Sequence, residues 1–166
     1  MKRCQECGYD YDELARDALS SALRAFIPPY RRVLEHTDPS RLRVKPSSDV
    51  WSPLEYACHV RDVFRIQRER IALAMAEDNP VFASMRRLER SDEENYNGQE
   101  PDEVAAQLSA SGLGLVAALD GLTDAQWQRT GVYSYPTEQV RTMEWIARHT
   151  IHEARHHLQD IEEQLR

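Results

Sequence analysis

Four of the six histidines of this 166-residue chain fall in one stretch near its end, as His149, His152, His156 and His157. Imidazole changes its charge near neutral pH and is the commonest side-chain ligand for metals, so such a cluster points to metal binding. The stretch contains two different ligand pairs. His152-Glu153-Ala154-Arg155-His156 is a literal H-E-x-x-H, the pattern in which two histidines bind zinc and the glutamate activates a water. Glu153 and His157 are also four residues apart, and therefore neighbours one turn along a helix face.

Outside that stretch, Cys4-Gln5-Glu6-Cys7-Gly8 reads as half of a zinc knuckle, two thiolates with a glycine allowing the tight turn. There is no second cysteine pair to complete four ligands, and no βαβ pattern to support a redox role. Residues 1–10 are therefore expected to be an exposed N-terminal segment ahead of a domain over 11–166. Cys58 lies in a helical pattern and is expected to be a small buried hydrophobe. His59, beside it, has Tyr56, Val63 and Ile66 at helical spacings; by residue type alone, a lone helical histidine is more often hydrogen-bonded than metal-bound.

The elements that position these residues are helical. The length suits one domain with a real core. The 28 acidic and 21 scattered basic residues give a net charge of -7, which argues against nucleic acid as the partner. No apolar run approaches a membrane span, and the first residues lack the apolar segment of a signal peptide. With three cysteines, a reducing, cytoplasmic setting is expected.

A first helical pattern begins near Tyr11, with Leu14, Leu19, Leu23 and Phe26 on one face, and Pro28-Pro29 is expected to break or kink it before a short piece over Tyr30 to His36. Thr37 to Val50 reads as a loop. Ser52-Pro53-Leu54-Glu55 is a capping box that opens a helix to about Glu77. Residues 80 to 100 are polar and irregular, and Pro101-Asp102-Glu103 opens a third helix to Asp120-Gly121. Gly112 and Gly114 suggest close approach of a neighbouring helix. A short capped turn over Leu122 to Trp127 and a loop over Gly131 to Pro136 lead to the last helix, with Thr137 as its expected cap. The pattern predicts an all-α four-helix bundle with a long connection between helices 2 and 3.

Helical geometry separates the two ligand pairs. At about 100° per residue, Met143, Ala147, Thr150, Ala154, Leu158, Ile161 and Leu165 fall within about 40° of one direction. His157 lies about 60° and Glu153 about 100° from it on one side, whereas His152 and His156 point about 160° away. Glu153 and His157 are thus the inward-reaching pair, and His152 and His156 are expected to face solvent or a partner. The protease reading is further weakened because no histidine follows at the spacing of the extended H-E-x-x-H-x-x-G-x-x-H motif and no strands build a cleft.

Trp51-Ser-Pro-Leu-Glu-Tyr-Ala-Cys-His59-Val-Arg-Asp62, followed far downstream by His152-Glu-Ala-Arg-His-His-Leu-Gln-Asp-Ile161, resembles the DinB-like superfamily, including relatives of mycothiol-dependent maleylpyruvate isomerase and bacillithiol transferases. The similarity covers roughly residues 11 to 166. It implies a four-helix bundle, often dimeric, holding a divalent metal near one end. It also implies a metal set of His59, Glu153 and His157, since the family's last helix ends its motif as His-x-x-x-Ile/Leu and many members have histidine where Glu153 stands. A register shift would instead use His152 and His156. Zinc or nickel suits the set, with manganese chemically acceptable. The resemblance further implies a small-molecule substrate and an open metal position for water or a low-molecular-weight thiol such as mycothiol. Transferase or isomerase chemistry follows from that, against the alternatives of a non-catalytic metal-binding stress or regulatory module and of an H-E-x-x-H metallohydrolase. Arg61, Arg65, Arg141 and Arg148 are candidates for recognising acidic groups, or are solvated helix charges. Glu55, Asp62 and Asp160 are candidates for orienting a ligating imidazole.

Overall fold

The computed structural model describes residues 3–134 and 137–166; Tyr135 and Pro136 of the expected loop lie outside them. In chain order the elements are α1 (Leu19–His36), α2 (Pro39–Leu42), α3 (Pro53–Ala76), α4 (Arg87–Glu93), α5 (Pro101–Asp120), α6 (Asp124–Trp127), β1 (Thr130–Tyr133), β2 (Gln139–Thr142) and α7 (Met143–Gln164). Four long helices make the bundle expected from the periodicity. α3 and α1 each pack against both α5 and α7, so the first two long helices occupy opposite corners. Among the described residues no helix is long and apolar enough to cross a membrane.

Local signals explain most helix ends. Ser52 Oγ accepts from the Glu55 amide at 3.2 Å, and Glu55 Oε2 accepts from the Ser52 amide at 2.8 Å, closing the capping box that starts α3. Thr123 and Gln126 repeat the device at α6. The last helix starts later than expected. Thr142, rather than Thr137, accepts from the Trp145 amide at 3.1 Å, because residues 139–142 are spent pairing with β1 as a two-stranded antiparallel hairpin. The short hairpin is an extended feature that the helical patterns did not reveal.

α1 also departs from expectation: it runs unbroken through Pro28 and Pro29. The two prolines leave the carbonyls of Arg24 and Ala25 without helical donors. Both residues are solvent-exposed, so water can satisfy them, while Leu23, Ile27, Tyr30 and Leu34 stay on the buried face. Tyr30 then pins α1 to α7 by donating to the Ala154 carbonyl at 2.8 Å. Gly112 of α5 is where α1 comes close, since a Cβ there would stand 2.9 Å from Ile27 Cδ1. Gly114 instead faces the tip of the Arg68 side chain.

The N-terminal segment is docked rather than exposed. Cys7 and Tyr9 belong to the core cluster, and Tyr9 is fully buried. Tyr9 and Tyr11 pack on His152 at ring-centroid distances of 5.8 and 5.6 Å. Arg148 of α7 donates to the carbonyls of Tyr11 and Leu14, both at 2.7 Å. Apolar burial of two tyrosines together with these charge-assisted bonds outweighs the polarity of the segment.

Candidate metal centre

α3 and α7 pack side by side, and their facing sides bring His59, Glu153 and His157 together. His59 Nε2 is 3.4 Å from Glu153 Oε2, and His157 Nε2 is 3.6 Å from the same oxygen. Two ligands on a tetrahedral ion at about 2.1 Å stand about 3.4 Å apart, so donors at these distances could share a small cation. His59 and His157 are buried, with rings edge-to-face at 5.0 Å. Trp51 packs on His59 and Tyr56 on His157, which limits the rotamers of both imidazoles.

Asp160 supplies the orienting contact. Its Oδ2 accepts from His157 Nδ1 at 2.9 Å, which puts the proton on Nδ1 and leaves Nε2 facing Glu153. The other two acidic candidates serve elsewhere. Glu55 is held by its capping box and by Lys45 at 2.9 Å. Asp62 accepts from Arg61 at 3.0 Å and from Tyr96 at 2.5 Å.

Electrostatics follow from this packing. Burial opposes charge on His157, but the hydrogen bond to Asp160 and the neighbouring Glu153 carboxylate overcome it and raise the imidazole to about 9. For Glu153, burial would favour the neutral acid; the close imidazoles of His152, His157 and His59 prevail and hold it well below the usual carboxylate range. Burial lowers His59, keeping it neutral. His149 is likewise pulled down by burial, to about 4.

The set opens onto a cleft of roughly 380 Å³ whose lining includes His59, Glu153, His149, Arg70 and Tyr133. Arg70 and Tyr133 are absent from the sequence-based candidates, and His149 stands there in the histidine cluster but in neither ligand pair. Arg70 donates to the Ala83 carbonyl at 2.7 Å and lies over the Tyr133 ring at 4.6 Å. It follows His59 by eleven residues, three turns along the same face, so the spacing His59, Val63, Ile66, Arg70 was the signal available. His149 stacks on Trp145 at 4.7 Å and contacts the Tyr11 hydroxyl through Nδ1 at 2.8 Å. Only the fold brings Tyr11 there.

The four arginines proposed from sequence do not line this cleft. Arg61 is buried against Asp62, Gln99 and Gln107. Arg65 pairs with Asp62, Arg148 ties down the N-terminal segment, and Arg141 lies over Trp145. His152 and His156 face the chain's own N-terminal segment rather than open solvent, while His152 Nδ1 also lies 3.5 Å from Glu153 Oε1 and the His156 ring packs on His157 at 5.2 Å.

Residues 13–161 match the family model of the DinB superfamily. Among solved structures, YfiT from Bacillus subtilis, described as a probable metal-dependent hydrolase with an unusual four-helix bundle topology, superposes with a TM-score of 0.83 at 19% identity, covering 92% of this chain and 89% of its own. The mycothiol-dependent maleylpyruvate isomerase superposes with a TM-score of 0.74 at 15% identity, covering 91% of this chain but 62% of its own. No curated protein matches the sequence. At these identities the superpositions establish the shared bundle fold.

Proposed function

The chain belongs to the DinB superfamily, and from that premise we propose that it binds zinc or nickel through His59, Glu153 and His157 and catalyses a transfer or isomerisation on a small molecule, with a low-molecular-weight thiol as co-substrate. The observation that carries this reading is the convergence of two buried histidines and the half-buried Glu153, with His59 and Glu153 lining a cleft. Three protein ligands rather than four leave a coordination position for a reactant, as in catalytic zinc sites. Bound there, the metal would favour the anion of a thiol or of water, the nucleophilic form. The likeness to a mycothiol-dependent isomerase supports a thiol as the partner, although this chain spans under two thirds of that protein.

The chain's own residues prepare the rest of the site. Arg70 offers a fixed positive charge inside the cleft, suited to a carboxylate on the substrate. Val63, Ile66 and Leu88 provide an apolar wall that limits water. His149, neutral and facing the same space, is placed to accept or return a proton while the Tyr11 hydroxyl holds its Nδ1 side. Glu153 stays ionised and His59 neutral, the forms in which both are ligands.

The test is metal content and turnover of wild type against His59→Ala, Glu153→Ala and His157→Ala, with a panel of thiols and electrophiles. Each change is expected to lower affinity for one metal equivalent by more than about 100-fold, beyond the effect of an outer-shell change. Full retention of that equivalent in all three variants would exclude the assignment. Metal binding without turnover across the panel would mark the protein as a binding module.

A further inference from the structure

The cysteine pair at the N-terminus lies outside the matched family region, which begins at residue 13. We infer that Cys4, Cys7, His152 and His156 form a second, closed metal site, a structural zinc centre that fastens the N-terminal segment to α7. The sequence offers only two thiolates in that segment; the fold supplies the other two ligands from the face of α7 adjoining the one that carries Glu153 and His157.

Four donor atoms, one from each residue, all lie within 4.8 Å of one another. Cys4 Sγ is 3.8 Å from His156 Nδ1, against about 3.6 Å expected for sulfur and nitrogen on a tetrahedral zinc ion. Two sulfurs and two imidazoles in a tetrahedral set select zinc over the harder divalent cations. The surroundings are those of a ligand shell. His156 presents its other nitrogen, Nε2, to Glu6 Oε2 at 3.2 Å, the carboxylate partner that orients a ligating imidazole. His152 is mostly buried, and neither ring nitrogen makes a hydrogen bond, Nδ1 standing 3.5 Å from Glu153 Oε1. The turn itself is built for thiolates. Gly8 sits at φ 71° and donates to the Cys4 carbonyl at 3.1 Å, while the amides of Cys7 and Glu6 approach the Cys4 sulfur and that of Tyr9 approaches the Cys7 sulfur. Against the opposing effect of burial, these amides and His152 bring the Cys4 thiol down to about 6. All three cysteines are free thiols.

Such a centre would close a loop of nearly the whole chain and hold Tyr9 and Tyr11 against α7, and with Tyr11 the hydroxyl that contacts His149. The His152–Glu153 contact, 3.5 Å from Nδ1 to Oε1, is where the two donor sets meet.

Cobalt titration of the reduced, chelator-stripped full chain tests the proposal. Wild type is expected to bind two equivalents, one of which produces the intense thiolate-to-cobalt charge-transfer absorption of a tetrahedral site. In C4S/C7S that band disappears while the other equivalent remains; in E153A/H157A the band remains while the other equivalent is lost. H156A should weaken the band-producing equivalent by at least about tenfold, which separates a four-ligand site from chelation by cysteines alone. A measurement on unaltered protein covers the case in which C4S/C7S misfolds: zinc should slow modification of two thiols by a thiol reagent at least about tenfold, and chelation should restore it. No charge-transfer band at saturating cobalt, a band that survives C4S/C7S, or thiol reactivity indifferent to zinc would each overturn the second site. Loss of the E153A/H157A-sensitive equivalent alone would bear on the His59 set and leave this one standing.

Discussion

Asp160 Oδ2 accepts a hydrogen bond from His157 Nδ1 at 2.9 Å, one turn beyond the imidazole on the same helix. This contact decides which nitrogen of His157 meets Glu153, and hence which is available to a metal. Asp160→Asn keeps the size of the side chain but removes its charge. Metal affinity at the His59 set is expected to fall about 10- to 100-fold without loss of fold, measured by competition with a calibrated chelator. Unchanged affinity would mean that His157 needs no such support.

Proton linkage gives an independent check on the same residue. In metal-free protein His157 is raised from 6.5 to about 9, so below pH 9 a metal must displace its proton. Apparent affinity should rise about tenfold per pH unit up to about pH 9 and level off above it, and calorimetry in buffers of different ionisation enthalpy should register the released proton. The sign for stability is opposite. A raised imidazole stabilises the fold fully below pH 6.5, and the contribution is lost as pH rises through 9. Metal-free protein should therefore lose Tm across that window, while H157A should not show this component.

Arg70 joins the cleft to the fold. Arg70→Met retains much of the stem but leaves the Ala83 carbonyl without its donor and Tyr133 without its overlying cation. A cost of roughly 1–3 kcal/mol is expected, a Tm decrease of several degrees in a thermal melt. If Arg70 also holds the substrate's acidic group, KM for an anionic substrate should rise more than for a neutral analogue.

The close approach of α1 and α5 makes Gly112 intolerant of bulk. A Cβ would already stand 2.9 Å from Ile27 Cδ1 and 3.2 Å from Phe64 Cδ2, so Gly112→Leu must force the helices apart. We expect a loss of about 1–3 kcal/mol by chemical denaturation, with Gly114→Ala milder because it meets the flexible end of Arg68.

Much of this architecture was legible in residues that act on near neighbours. Ser52 and Glu55 define the start of α3 within one turn, and the apolar spacing from Met143 to Leu165 orients α7 well enough to turn Glu153 and His157 inward. Signals of that range misjudged Pro28 and Pro29, because whether a helix survives prolines depends on whether the freed carbonyls reach water. They also missed the strand pairing that delays α7 to Met143, since a ladder needs a partner strand as well as a propensity.

The division is clearest for the cysteines. By itself the sequence indicated the long helices, the apolar face that each presents, and two candidate ligand pairs on adjoining faces of α7. It left Cys4 and Cys7 two donors short, because the histidines that the fold brings near them are about 150 residues away and no local pattern reports on such a distance. Tertiary structure alone decided that the N-terminal segment folds back on α7, where Cys4 comes within 3.8 Å of His156. Burial of Tyr9 and the anchoring by Arg148 drive that return, and both exist only once the bundle has formed.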